Sequence, residues 1–186
     1  MKLLIVYGTT EGQTRKICNY LRGKAVDNGH QVTIVDATGP DVNPNSFDAT
    51  IIGASLHAEK YQYSVEHYVQ EHHKSLNKMP TGFLSVSLTA VYDDSQNQKE
   101  LEKIANNFFD KTGWNPTFVE QVAGALRYTK YNFFKKIIMR MIAQKSGGST
   151  DTSKDTEYTD WNQVKELLDK LEKEMVKIQT KNSINK

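Results

Sequence analysis

The sequence opens with Lys2-Leu3-Leu4-Ile5-Val6-Tyr7, and Gly8-Thr9-Thr10-Glu11-Gly12-Gln13-Thr14 follows at once. The first run is apolar, rich in strand-forming residues and too short to cross a membrane, so it predicts a parallel strand buried on both faces. A helical pattern begins directly after the second run. A strand, a hydroxyl-rich turn and a helix in this order direct backbone N–H groups and the positive end of a helix dipole at an anion. The segment therefore predicts a phosphate-binding loop. The alternative is an ordinary strand–helix turn in which Thr10 and Gln13 form a capping box.

Composition places the chain among ordinary globular proteins. Its 186 residues fit one domain on the prior of roughly 100–200 residues per domain, so we expect a single domain over residues 1–186. No apolar run reaches the ~18 residues of a transmembrane helix, and Met1-Lys2 leads into a core strand rather than a signal peptide. We therefore expect a cytoplasmic protein. The net charge of +2 gives no reason to expect a nucleic-acid partner.

The residues that most often bind metals give no metal site. Cys18 is the single cysteine, which excludes an intrachain disulfide and a Cys-based zinc site. It lies in an apolar helical stripe, and we interpret it as a small buried side chain. His67, His72 and His73 share one predicted helix, but no third ligand lies near them in sequence, so we expect surface histidines and no metal.

Strands and helices alternate along the rest of the chain. The patterns predict further strands over residues 31–35, 48–53, 82–88 and 117–123, and helices over 13–28, 63–76, 96–111 and from Trp161 onward. This alternation predicts an α/β fold, a doubly wound parallel sheet covered on both faces. With five strands, the flavodoxin-like order 2-1-3-4-5 is the simplest choice, and it places a ligand at the carboxyl ends of strands one and three.

One segment, Gly124 to Thr159, is too long for a simple connection between elements and is predicted to be an insert near strand five. Residues 127–145 contain six basic residues and no acidic residue. A helical wheel of residues 133–143 separates large apolar side chains from Lys136 and Arg140. A cationic amphipathic helix of this kind is typical of elements that lie at a membrane surface. A basic helix whose apolar face packs on the domain is the alternative.

Several strings of sequence resemble known families. The Gly8–Thr14 loop resembles the phosphate loop of flavodoxins, which bind FMN, although Glu11 stands where flavodoxins usually carry Thr or Asn. The strings at residues 124–131, 146–152 and 158–161, together with those at 12–14, 52–55, 79–80 and 83–88, resemble the menaquinone-dependent protoporphyrinogen dehydrogenases. These are the flavodoxin-type protoporphyrinogen oxidases of bacterial haem biosynthesis. The resemblance covers nearly the whole chain, and this family tends to carry an acid at the position of Glu11.

The resemblance implies an enzyme that uses FMN to oxidise protoporphyrinogen IX to protoporphyrin IX and passes the electrons to menaquinone or another respiratory quinone. It implies a peripheral position on the cytoplasmic face of the inner or plasma membrane. Flavin would carry the redox chemistry, so no catalytic side chain and no metal are expected. The alternatives are a flavodoxin-like FMN electron-transfer protein without porphyrinogen activity, and a flavin-free scaffold that binds a membrane or a protein through the insert.

The same resemblance assigns candidate residues to this site. His57, Tyr61 and Tyr92 are candidates to stack on the flavin ring. The cofactor-binding candidates follow strands one, three and four: Thr9, Thr10, Glu11, Gly12, Gln13, Thr14, Ser55, Leu56, His57, Ser87, Leu88, Thr89, Ala90 and Tyr92. The candidates for binding substrate propionates or an anionic membrane surface are Arg127, Lys130, Lys135, Lys136 and Arg140.

Overall fold

A parallel sheet of five strands in the order β2-β1-β3-β4-β5 forms the centre of the protein. The computed structural model describes residues 1–126 and 156–184. The strands are β1 (Lys2–Gly8), β2 (Gln31–Asp36), β3 (Ala49–Ser55), β4 (Thr81–Ser87) and β5 (Phe118–Ala123). Every position of β3 and β4 is buried, as expected for central parallel strands with both faces covered. The predicted sheet and its strand order are confirmed.

In the part of the chain that the structure describes, four helices cover the two faces of this sheet: α1 (Gln13–Asp27), α2 (Tyr63–Leu76), α3 (Ser95–Thr112) and α4 (Trp161–Ile184). Helices α1 and α4 pack on one face, where Ile17 and Leu21 join Leu167 and Leu171 in a buried cluster. Helices α2 and α3 pack on the other face, where the cluster includes Val65, Val69 and Phe108. Each helix therefore buries its apolar stripe on the sheet, which accounts for most of the hydrophobic stabilisation of the fold.

Helix α1 begins without a side-chain cap. Its N-cap is Gly12, whose φ of 91° lies in the left-handed region that favours glycine. The capping box between Thr10 and Gln13 does not form, because α1 begins at Gln13 with Gly12 as its N-cap. The Gln13 side chain instead reaches the insert, where its Nε2 donates to Thr159 Oγ1 at 2.9 Å. No side chain at the N-cap therefore accepts a hydrogen bond from the first N–H groups of α1. These N–H groups remain available to a ligand.

The two ends of the predicted insert meet in a short antiparallel ladder, β6 (Ala125–Leu126) with β7 (Thr156–Glu157). We call Gly124–Leu126 and Thr156–Thr159 the insert root. The Tyr158 N–H donates to Gly124 O at 3.0 Å, Thr159 Oγ1 donates to Ala123 O at 2.8 Å, and Lys16 pairs with Glu157. These contacts fix the insert root to β5 and α1. The predicted amphipathic helix and its cations Arg127, Lys130, Lys135, Lys136 and Arg140 lie outside the described residues.

Within residues 1–126 and 156–184, no helix combines the length and the apolar character needed to cross a bilayer.

Candidate functional site

A cleft of about 660 Å³ lies where the carboxyl ends of β1, β3 and β4 meet helix α3 and the insert root. Most of the predicted cofactor-binding residues line it: Thr9, Thr10, Glu11, Gln13, Thr14, Ser55, Leu56, His57, Ser87, Leu88 and Thr89. The other described residues of the lining were not predicted: Ala58, Glu59, Val86, Glu100, Leu101, Ile104, Gly124 and Ala125. The structure therefore brings the three predicted loops together, at the edge of the sheet where this topology places ligands.

The loop after β1 surrounds one end of the cleft with hydroxyl groups. Thr9 Oγ1 accepts a hydrogen bond from the Gly12 N–H at 2.9 Å, which holds the loop in a tight turn. Thr14 is completely buried, and its Oγ1 has no hydrogen-bond partner among the described residues. A buried hydroxyl without a partner is costly. Because Thr14 also lines the cleft, its hydroxyl indicates a place for a polar ligand group.

The loops after β1 and β3 are joined by the side chain of Gln62, which the sequence analysis did not single out. Gln62 Oε1 accepts a hydrogen bond from the Ser55 N–H at 3.1 Å. Gln62 Nε2 donates to Thr10 Oγ1 at 3.1 Å and to Ser55 Oγ. The two hydroxyl oxygens of Thr10 and Ser55 are 3.4 Å apart. One amide thus fixes both loops relative to each other.

The far side of the cleft is apolar. Leu56 and Leu88 follow β3 and β4, and Leu101 and Ile104 of α3 line the same cleft. The loop after β4 is held by its own polar group, because Ser87 Oγ accepts a hydrogen bond from the Ala90 N–H at 3.1 Å. A hydroxyl-rich end and an apolar side in one cleft suit a ligand with a phosphate at one end and a flat apolar group at the other.

The charged residues of the cleft are acidic. Glu11, Glu59 and Glu100 line it, whereas the described lining contains no Lys or Arg. Glu59 lies in a two-residue turn in which the backbones of His57 and Lys60 form two hydrogen bonds of 3.0 Å. Ala58 and Glu59 both have positive φ, 47° and 62°, the conformation of a type I′ turn. This turn places a carboxylate rather than a cation at the rim.

Several predicted site residues are not part of the described cleft lining. Gly12, Ala90 and Tyr92 are not among the lining residues, although Gly12 and Ala90 are next in sequence to residues that are. The Tyr61 ring packs in the core with its centroid 5.1 Å from that of Phe83 and 5.0 Å from that of Phe108. Its hydroxyl is hydrogen-bonded to Ser85 Oγ at 2.9 Å, and burial raises the pKa of Tyr61 to about 12. These contacts give Tyr61 a packing role against the core, and Tyr61 is not among the described lining residues of the cleft.

The cysteine and two of the histidines lie in environments that explain them without a catalytic role. Cys18 is buried, and burial raises its pKa to about 12, so its thiol stays protonated at neutral pH. His72 Nε2 lies 2.7 Å from Asp41 Oδ1, and His73 Nδ1 lies 2.7 Å from Gln70 O. In the part of the chain that the structure describes, no three His, Cys, Asp or Glu side chains come close enough to hold a metal ion.

The sheet order, the helices on both faces and the hydroxyl-rich loop after β1 define a protein of the flavodoxin class. A family model described as a flavodoxin domain matches residues 4–153. A protoporphyrinogen IX dehydrogenase (quinone) of Escherichia coli K12 is 34% identical over 165 residues, which cover 88% of this chain and 91% of the relative. A relative of the same name from Leishmania major is 32% identical over 166 residues, 88% of this chain and 71% of its own length. The chain belongs to the flavodoxin-type family of protoporphyrinogen IX dehydrogenases.

A flavodoxin of Streptococcus pneumonia TIGR4 superposes with a TM-score of 0.49 and 17% identity, and the alignment covers 78% of this chain and all of that one. The fold is established by the strand order and the family model, independently of this superposition.

Proposed function

We propose that this protein oxidises protoporphyrinogen IX to protoporphyrin IX, with FMN as the redox cofactor and a quinone as the electron acceptor. The observation that carries the proposal is family membership over nearly the whole chain: the relatives named for this reaction align over 88% of it. An electron carrier without porphyrinogen activity is the weaker candidate. Diffusing flavodoxins are typically strongly acidic, which steers them to basic partners, whereas this chain has a net charge of +2.

The residues of the cleft fit FMN. The buried Thr14 hydroxyl has no partner in the described structure, and a phosphate oxygen is a suitable acceptor for it. Thr9 and Thr10 add two hydroxyls, and the N-terminus of α1 adds backbone N–H groups and a favourable dipole. Leu56, His57 and Leu88 line the other part of the cleft, where we place the isoalloxazine ring. The described residues thus offer a separate environment for each end of FMN.

The chain itself supplies binding and orientation. When bound, FMN supplies the transfer of electron pairs between porphyrinogen and quinone. The hydroxyls of the first loop hold the phosphate end, and Leu88, Leu101 and Ile104 exclude water from the apolar side. The carboxylates of Glu11, Glu59 and Glu100 repel substrate propionates. We therefore propose that Arg127 and Lys130, which closely follow Ala125 of the lining in sequence, bind the propionates.

We further propose that the enzyme acts at an anionic membrane surface on the cytoplasmic side, with menaquinone as the quinone. The cationic amphipathic pattern of residues 133–143 supports this, since Lys135, Lys136 and Arg140 would each add about 1 kcal/mol to binding of an anionic bilayer. Cosedimentation with anionic vesicles at low salt measures the interaction. A protein that stays in the supernatant under these conditions contradicts the membrane proposal and leaves the reaction itself untouched.

The reaction is tested directly with the FMN-loaded protein under anaerobic conditions. Protoporphyrinogen IX should remove the absorbance of oxidised flavin, and added menaquinone should restore it. Because both substrates react in turn at one cleft, double-reciprocal plots should give parallel lines. Loaded protein that porphyrinogen does not reduce, but that a low-potential chemical reductant does, would contradict the enzyme assignment and support the electron-carrier alternative.

The Thr14 hydroxyl should be important for cofactor affinity. Replacing Thr14 by Ala removes a hydrogen bond to a charged phosphate, worth roughly 1.5–3 kcal/mol, so FMN affinity should fall about tenfold or more. Riboflavin, which lacks the phosphate, should bind almost as it does to the wild type. Flavin fluorescence titrations measure both constants. Thr14→Ser keeps the hydroxyl and is the matched control. Equal losses for FMN and riboflavin would show that this loop does not bind the phosphate.

A further inference from the structure

We infer that Gln62 is a positioning residue that orients the hydroxyl hydrogens of Thr10 and Ser55 toward the cleft and so makes the site select a phosphorylated flavin. The inference rests on the proposed function as an FMN enzyme and concerns how the chain recognises the phosphate. Gln62 immediately precedes α2 and reaches between the ends of β1 and β3. Its amide passes close to Gly8, where a Cβ atom would lie 3.1 Å from Gln62 Oε1.

The orientation of the Gln62 amide follows from its partners. The Ser55 backbone N–H can only donate, so the atom 3.1 Å from it must be the acceptor Oε1. The amide nitrogen then faces the two hydroxyls, with Nε2 3.1 Å from Thr10 Oγ1 and in contact with Ser55 Oγ. The two hydrogens of this NH₂ group are thus directed at two hydroxyl oxygens.

Consequently, neither hydroxyl donates its hydrogen to Gln62, and at least one of the two hydrogens is available to another acceptor. A hydroxyl has one hydrogen to donate and two lone pairs to accept with. Thr10 Oγ1 and Ser55 Oγ accept from Gln62 and are 3.4 Å apart, so they can share at most one hydrogen and leave the other unused. Thr9 Oγ1 accepts from the Gly12 N–H and also keeps its hydrogen.

The result is a group of neutral hydrogen-bond donors in a part of the cleft with no described cation. Thr9, Thr10 and Thr14 line the cleft with Ser55, and the Thr14 hydroxyl has no partner among the described residues. Hydroxyl and backbone donors at a helix N-terminus bind anions without a Lys or Arg. Gln62 gives two of these hydroxyls their donor direction, although it is not itself one of the lining residues.

An isosteric substitution separates this role from simple structural support. In Gln62→Glu, one carboxylate oxygen still accepts from the Ser55 N–H, so the connection between the loops is kept. The other oxygen can only accept, so it draws the Thr10 and Ser55 hydrogens away from the cleft and brings a negative charge near the phosphate. Gln62→Met has a similar shape, carries no charge and leaves the hydroxyls without a fixed direction.

The test is a fluorescence titration of the apo-protein with FMN and with riboflavin. For Gln62→Glu we expect FMN affinity to fall about a hundredfold, through the loss of charge-assisted hydrogen bonds, and riboflavin affinity to change by less than about threefold. In Gln62→Met, FMN affinity should fall about tenfold, and riboflavin affinity should stay near the wild-type value. Gln31→Glu makes the same charge change at an exposed position at the opposite end of the sheet, and it should bind both flavins as the wild type does.

If the wild type prefers FMN to riboflavin, either of two results overturns the inference. The first is a Gln62→Glu variant with wild-type affinity for FMN, and the second is an equal loss of affinity for FMN and riboflavin. The second outcome would mean that Gln62 only supports the fold. If Gln62→Glu does not fold, the FMN-to-riboflavin comparison in Gln62→Met decides in the same way. A wild-type protein that binds riboflavin as tightly as FMN, or neither, would instead overturn the proposed FMN function on which the inference rests.

Discussion

Replacing Arg127 and Lys130 together by Gln should lower kcat/KM for protoporphyrinogen IX by about a hundredfold or more. The described lining of the cleft contains three carboxylates and no Lys or Arg, so the substrate's propionates need cations from elsewhere in the chain. A hydrogen bond between charged groups is worth roughly 1.5–3 kcal/mol, and two such losses give this factor. FMN affinity should stay unchanged, because the phosphate loop is intact. Steady-state kinetics and a flavin titration measure the two quantities.

The control for charge alone is the double variant Arg22→Gln, Lys74→Gln, which removes the same two residue types from exposed positions on α1 and α2. It should keep wild-type kinetics. A second comparison uses a porphyrinogen that carries ethyl groups in place of the propionates. If the Arg127, Lys130 variant loses as much activity with that substrate as with protoporphyrinogen IX, the propionate assignment is wrong.

Gly53→Ala should destabilise the protein by about 1–3 kcal/mol, the usual cost of overpacking a core. A Cβ atom at Gly53 would lie 2.7 Å from Cys18 Sγ and 3.2 Å from Thr14 Cγ2. Both of those residues are buried on α1, so the helix must move away from the sheet. Because this movement displaces the N-terminus of α1, FMN affinity should fall together with the stability. Urea denaturation of the apo-protein gives the change in the free energy of unfolding.

Gly23→Ala is the matched control for this substitution. Gly23 lies on α1, the helix that carries Thr14 and Cys18. A Cβ atom at Gly23 meets nothing within 4 Å, so this variant should be as stable as the wild type or more stable. The steric explanation also predicts a coupling. In a Cys18→Ala background the sulfur is absent, and Gly53→Ala should cost clearly less. An unchanged cost in that background would show that the Cys18 contact is not the cause.

The sheet was predictable because its signals are local and strong. The run from Lys2 to Tyr7 is continuous, and the other strands alternate with amphipathic helices whose apolar spacing is regular. Topology rules then bring the loops after β1, β3 and β4 to one edge. The family resemblance predicts Thr9, Thr14, Ser55 and Leu88 on these loops, and the structure places all four on the cleft.

The remaining cleft residues depend on distances that no sequence pattern contains. Leu101 and Ile104 belong to an apolar stripe of α3 that predicts burial, but the pattern cannot tell which turn of the stripe reaches the edge of the sheet. Gln62 acts through two loops distant in sequence, and its role follows only from the spacing of Thr10 and Ser55. The contacts of Tyr61 with Phe83 and Phe108 were not predictable either, because an aromatic residue near a binding loop has the same local signature whether it faces ligand or core.

The insert root has a consequence for how this family can change over time. Neighbouring strands lie about 5 Å apart, so the body of the protein presents two adjacent attachment points, at Leu126 and Thr156. The entropy of closing a loop between such points rises by only about 0.6 kcal/mol for each doubling of its length. Mutation can therefore lengthen, shorten or replace the segment between them with little effect on the sheet. A lineage can exchange this segment and inherit the cofactor site unchanged.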